Sequence, residues 1–215
     1  MNRNETITYA ILGITNIFSG FLGLEWLNFL TKPLLMITLA IFYFQHVKTS
    51  LNTVDRIMII ALVFSCLGDT FLMFQGKNPQ FFLLGLGSFL VSQLSYAFVF
   101  RKQGKTQHIR RIPFIIYVIS LLTFLFGSIP AAFKAPVIVY ACAISLMGIT
   151  ASERTSSTNS FQQVLIGAIL FIISDSLIAI NKFAIAIPLS GFWIMITYIV
   201  AQYFIVNGIL LNRKQ

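Results

Sequence analysis

Long apolar runs, each closed by charge or by turn-forming residues, dominate the chain. They mark eight candidate spans, at about residues 7–24, 33–45, 55–74, 80–100, 112–128, 134–151, 161–181 and 188–211. About 20 residues rising 1.5 Å each match a hydrocarbon core ~30 Å thick, so runs of this length cross a bilayer as helices. The second run is the shortest. The expected fold is all-α, a polytopic integral membrane protein of about eight transmembrane helices forming one transmembrane domain over residues 1–215. Two runs contain an interruption: Asp69 lies inside DRIMIIALVFSCLGDTFLMF (55–74), and Asp175 inside FQQVLIGAILFIISDSLIAIN (161–181). An ionised carboxylate at that depth costs roughly 2.5–3.5 kcal/mol on insertion scales, so these positions are functional candidates by default.

Composition makes the membrane reading firm. Hydrophobic residues are 57% of the chain and charged residues 10%, with mean hydropathy +0.86, far from soluble-domain values. The 22 phenylalanines then read as lipid-facing and core packing. The net charge of +9 raises the question of nucleic acid, and the placement of the basic residues answers it. Alternate loops define two sides of the membrane. One side holds both termini and 11 basic residues: Arg3, Lys48, Arg56, Arg101, Lys102, Lys105, Arg110, Arg111, Arg154, Arg213 and Lys214. The other holds 4: Lys32, Lys77, Lys134 and Lys182. The positive-inside rule puts both termini in the cytoplasm, and the bacterial inner membrane is the expected location. The basic stretch 101–111 reads as a topology determinant placed to touch anionic headgroups. It lacks interleaved aromatics, so no nucleic-acid partner is expected. Arg3 is balanced by Glu5 and no small-x-small site closes the first run, so a cleavable signal is not expected. Cys66 and Cys142 both fall inside spans and read as small buried hydrophobes.

Depth follows from helical rise. Asp69 is 14 residues from Asp55, and Asp175 is 14 from Phe161. Both carboxyls are therefore about 21 Å from the cytoplasmic face, in the outer half of the core. Tyr140, entering from the other side near Lys134, falls about 9 Å down and reaches the same level. Asn16 and Trp193 lie close to it. Gln93 and Gln202 fall nearer the cytoplasmic third, as inter-helix hydrogen-bonding groups.

Equal depths suggest an internal repeat. Gly68-Asp69-Thr70 aligns with Ser174-Asp175-Ser176, Lys32-Pro33 opens span two as Lys134-Ala135-Pro136 opens span six, and Gln93 corresponds loosely to Gln202. The offsets drift through 102, 106 and 109, as loop insertions would produce. A 4+4 parallel repeat with halves 1–108 and 109–215 would bring the aspartates face to face.

The chemistry available at that level is limited. His46 and His108 fall in cytoplasmic-side loops and no metal-binding motif is present, so neither metal nor cofactor is expected. Ser65 and Ser174 have no histidine at their level to activate them and read as hydrogen-bonding within or between helices. Two buried carboxyls that share a site do not both ionise cheaply, so one can hold a proton while the other is charged. That arrangement serves an acid–base enzyme, and it equally serves a proton-coupled transporter of a lipid or small amphiphile. A third reading, aspartates that merely bond to neighbouring helices, predicts tolerance to asparagine. Few central glycines or prolines break the spans, which weighs against unwound transporter helices.

The run GAILFIISDSLIAINKF (167–183), with FSCLGDTFLMF (64–74), Lys32-Pro33, and Tyr140 to Met147, resembles the YhhN family of membrane proteins, whose characterised members are lysoplasmalogenases. The resemblance covers most of the chain. It departs at Gln93, where many relatives have histidine. It implies a lysophospholipid substrate drawn from the membrane, carrying choline or ethanolamine, and hydrolysis of its vinyl ether to a fatty aldehyde. Asp69 and Asp175 would be the acid–base pair, with roles not assignable from sequence. Lys32, Tyr140, Asn181, Lys182, Trp193 and Tyr198 would line the substrate site. Lys32 and Lys182, at outer helix ends, fit either snorkelling or contact with a phosphate headgroup.

Overall fold

Asparagine caps start three of the helices, and all but the last helix begin earlier than the apolar runs suggest. The computed structural model describes residues 1–213, so Lys214 of the basic inventory lies outside the described residues. Among the described residues are eight α-helices: α1 (Arg3–Phe21), α2 (Glu25–Val47), α3 (Thr53–Met73), α4 (Pro79–Arg101), α5 (His108–Leu125), α6 (Ala131–Ser152), α7 (Thr158–Phe183) and α8 (Ser190–Arg213). Asn2 and Asn52 start α1 and α3 with capping boxes, each exchanging bonds with the acid three residues on, Glu5 or Asp55. Asn78 caps α4, with Pro79 in its first turn. These polar first turns extend the helices beyond the apolar runs.

Seven of the eight, α2 to α8, are long and apolar enough to cross a membrane. The chain is an integral, multi-pass membrane protein. In α1, residues such as Glu5, Thr6, Thr8 and Asn16 dilute the apolar content. Span two is the largest correction to the sequence reading. Its helix begins at Glu25, so Lys32 and Pro33 lie two turns inside it. Pro136 is likewise inside α6. Bundle contacts compensate for a proline in mid-helix, which a boundary rule based on proline alone does not anticipate.

Short connections join consecutive helices, and α3 packs closely on α4 as α7 does on α8. Helix α6 lies against α4, α2 joins α1 to α3, and α8 touches α1 and α2. Helix α5 is peripheral, meeting α6 and α7, and Leu125 is its one buried residue. The α3–α4 and α7–α8 pairs face each other through an aromatic layer. Phe171 meets Tyr198 edge-on at 5.4 Å between ring centroids, and Phe89 meets Tyr198 at 6.0 Å and Phe171 at 6.2 Å. Gly68, beside Asp69, lets Phe89 in: a Cβ there would lie 2.6 Å from the ring. Cys142 faces outward and Cys66 is half-buried, so only the latter resembles the expected buried hydrophobe.

Several cations of the basic side pair within the protein. Glu153 is buried at the end of α6 and receives Arg101 at 2.9 Å, Arg111 at 2.6 Å and the Gln107 amide at 2.9 Å. Burial alone would raise its carboxyl, but the bonds from Arg111 and Gln107 and the charge of Arg101 outweigh it and hold Glu153 below the usual range. Arg154 is buried as well, bonded to Gln103 and Ser160. A single antiparallel bridge between Gly104 and Arg154 ties the α4–α5 loop to the α6–α7 loop. Arg213 reaches Asp55 at 2.7 Å, which also accepts from Tyr43 at 2.8 Å.

Candidate functional site

The site is built from polar residues one helical turn apart on inward faces. On α3, Ser65 and Asp69 share a face; on α8, Tyr198 and Gln202 do the same. Asp69 is 3% exposed and Asp175 9%. Tyr198 donates from its hydroxyl to Asp69 Oδ2 at 2.7 Å, and Tyr140 donates to Asp175 Oδ2. Lys32 Nζ lies 3.7 Å from Asp69 Oδ1. Helices α3 and α7 are not in contact, yet the two carboxyls are within electrostatic reach across the aromatic layer. Each aspartate thus has its own tyrosine, and no hydrogen bond joins them directly.

Below Asp69 the network continues. Gln202 donates from Nε2 to Ser65 Oγ at 3.1 Å and accepts from Tyr96 at 2.6 Å, and Ser65 meets Ser92 at 2.7 Å. Gln202 is therefore the inter-helix hydrogen-bonding residue expected of it. Gln93 is buried at the α4–α6 interface, with its side-chain amide beside the Tyr140 hydroxyl. Ser174 donates to the Ile194 carbonyl across the α7–α8 interface, at 3.1 Å. His46 and His108 are at helix ends rather than in loops, and His46 bonds to Glu5.

A cavity of about 40 Å³ opens at Asp175. Its wall is apolar, with Leu72, Leu86, Phe89, Val137 and Ile178, and Tyr140 beside the carboxyl. Phe82 and Phe183 stand at one end and meet edge-on at 5.7 Å; Phe133 packs on both. Lys182, at the end of α7, sits 4.4 Å over the Phe82 ring and bonds to Gln75. The volume suits a few small groups at most, since roughly 10–15 Å³ of such space admits one water.

Of the residues expected at the site, the structure brings together Asp69, Lys32 and Tyr198 on one side, and Asp175 and Tyr140 on the other. Lys32 is an internal partner of Asp69 because α2 starts seven residues before it. Lys182 stays at the end of α7. Asn181 accepts from the Ile187 amide at 2.9 Å and shapes the α7–α8 turn. Trp193 is 48% exposed and packs edge-on against Phe192, so it is not brought to the aspartates. The sequence reading missed Tyr96, Ser92 and the cavity phenylalanines. The four-residue spacing of Ser92 and Tyr96 on α4 was the available signal for the first two.

The family model for YhhN matches residues 27–209, which includes both aspartates, both tyrosines and Lys32. Two relatives are proteins named Lysoplasmalogenase TMEM86A. The one from Bos taurus is 32% identical over 200 residues, covering 88% of this chain and 81% of its own length. The one from Homo sapiens is 33% identical over 200 residues, with the same coverage. No solved structure matches the chain.

Proposed function

This chain belongs to the YhhN family, and we propose that it is a lysoplasmalogenase, an ether hydrolase acting inside the membrane on the vinyl ether of lysoplasmalogens. The products are a fatty aldehyde and glycerophosphocholine or glycerophosphoethanolamine. The observation that carries this reading is the pair of buried carboxyls, each held by a tyrosine, one of them lining an apolar cavity among aromatic rings. The names of the bovine and human relatives supply the substrate class.

The geometry suits the chemistry. Vinyl ether hydrolysis begins with a proton delivered to the alkene carbon remote from oxygen, and it passes through an oxocarbenium ion. A carboxylic acid in an apolar wall can deliver that proton beside the hydrocarbon chain. A second, ionised carboxylate in the same low-dielectric interior stabilises the cation and accepts a proton from the attacking water. The tyrosines fix both carboxyls in orientation. Lys182 and the outer helix ends would face the phosphate headgroup.

Helices α3 and α7 run unbroken through their aspartates, which favours hydrolysis over substrate transport, since transporters unwind helices at their sites. The deciding assay gives purified protein an alkenyl-lysophospholipid and, in parallel, its acyl counterpart. Aldehyde from the first and no fatty acid from the second is the expected result. Turnover of the acyl lipid, or of neither, would refute the assignment.

A further inference from the structure

The two aspartates have unequal surroundings, and the difference is in kind. Asp69 has a cation: Lys32, itself largely buried, stands 3.7 Å from Oδ1, while Tyr198 donates to Oδ2. One turn from Lys32, Asn28 lines a hollow of about 400 Å³ with Ser19, Glu25 and Lys77, so polar groups continue from Asp69 toward the outer loops. The other titratable groups near Asp69 are Tyr9, Cys66 and, across the aromatic layer, Asp175. Asp175 has no lysine or arginine partner among the described residues. Tyr140 donates to it, Tyr117 lies within electrostatic reach, and its remaining surroundings are the apolar cavity wall.

Resting on the hydrolase reading above, we propose that Asp175 is the acid that protonates the alkenyl carbon, and that Asp69, held as a carboxylate by the positioning residue Lys32, is the base that activates water. The apolar cavity takes the alkenyl carbons next to the ether, and the polar side takes water and the glycerol end. The cycle closes without any co-reactant. The alkene π pair takes the Asp175 proton to form a C–H bond, and the ether oxygen lone pair forms the oxocarbenium C=O. Water adds to that carbon and gives its proton to Asp69. In the collapse, Asp69 returns the proton to the glycerol oxygen as the C–O bond breaks, and Asp175 removes the hemiacetal hydroxyl proton as the aldehyde forms. Both carboxyls end as they began.

Infrared spectroscopy of the lipid-reconstituted protein without substrate reads the resting protons directly. A protonated-carboxyl band present in the wild type should vanish in Asp175→Asn and persist in Asp69→Asn. Lys32→Met should gain a second such band, and Lys32→Arg should restore the single one. If Asp175→Asn does not fold, the tyrosines carry the test: Tyr140→Phe should shift the wild-type band and Tyr198→Phe should leave it in place. The reverse pattern, no protonated carboxyl in the wild type, or a Lys32→Met spectrum identical to wild type would overturn the assignment. Because substrate is absent, these outcomes stand apart from the turnover assay, whose failure would refute the hydrolase reading instead.

Discussion

At the scale of single residues, catalysis depends on two carboxyls whose burial is otherwise an expense. Asp69 and Asp175 are inside helices, shielded from water, and each receives a tyrosine hydroxyl. Asparagine keeps the shape of aspartate and still accepts a hydrogen bond from tyrosine, but it cannot donate or accept the catalytic proton. Asp69→Asn and Asp175→Asn should therefore each lower kcat by about 10²–10⁴-fold, the usual worth of one general acid or base. The purified variants should retain wild-type helical content. The double variant should be little slower than the worse single, since residues acting as a unit are not additive. Wild-type rates in both singles would mean that the carboxyls serve packing alone.

At the scale of helices, α3 positions the site by how closely it approaches α4. Gly68 admits the Phe89 ring, which is both a cavity wall and an edge-on partner of Tyr198. A methyl group at 68 would meet ring carbons at 2.6 Å, so the ring must move. Gly68→Ala should cost about 1–3 kcal/mol of stability, the usual range for overpacking, and should displace Tyr198 from Asp69. Thermal unfolding and turnover both report it, and Phe89→Leu in the same chain should recover part of each loss. An alanine variant as stable and active as wild type would show that the approach is not tight.

The helices themselves were legible in the sequence, because a membrane span is written in length and apolarity. The boundaries were less so. Apolar runs leave out capped polar first turns such as Asn52 to Asp55, and Pro33 looked like a helix start although α2 begins at Glu25. That shift changed the meaning of Lys32, from a residue at the membrane surface to a largely buried partner of Asp69. Asp69, Asp175 and Tyr140 were visible because charge or hydroxyl at one depth stands out against an apolar background. Trp193 stood at a suitable depth as well, but depth does not specify which face a helix turns inward, and α8 turns it outward. The pairing of Arg101 and Arg111 with Glu153 was hidden for a similar reason, since it joins residues 42 or more apart.

At the scale of the whole molecule, the 11-to-4 distribution of basic residues predicts cytoplasmic termini and external Lys77 and Lys182 loops. Single cysteines placed in the α4–α5 loop should resist a membrane-impermeant label applied to intact cells, and those beside Lys77 should react. Labelling in the opposite sense would invert the molecule and place the cavity on the cytoplasmic side. The central claim is that protonation at carbon, by an aspartic acid in the bundle interior, opens the vinyl ether. Its most direct test is turnover of an alkenyl-lysophospholipid in heavy water, with the aldehyde reduced to the alcohol at once so that slow exchange cannot add label. One deuterium is expected at the carbon next to the former aldehyde. An aldehyde with none there would contradict it.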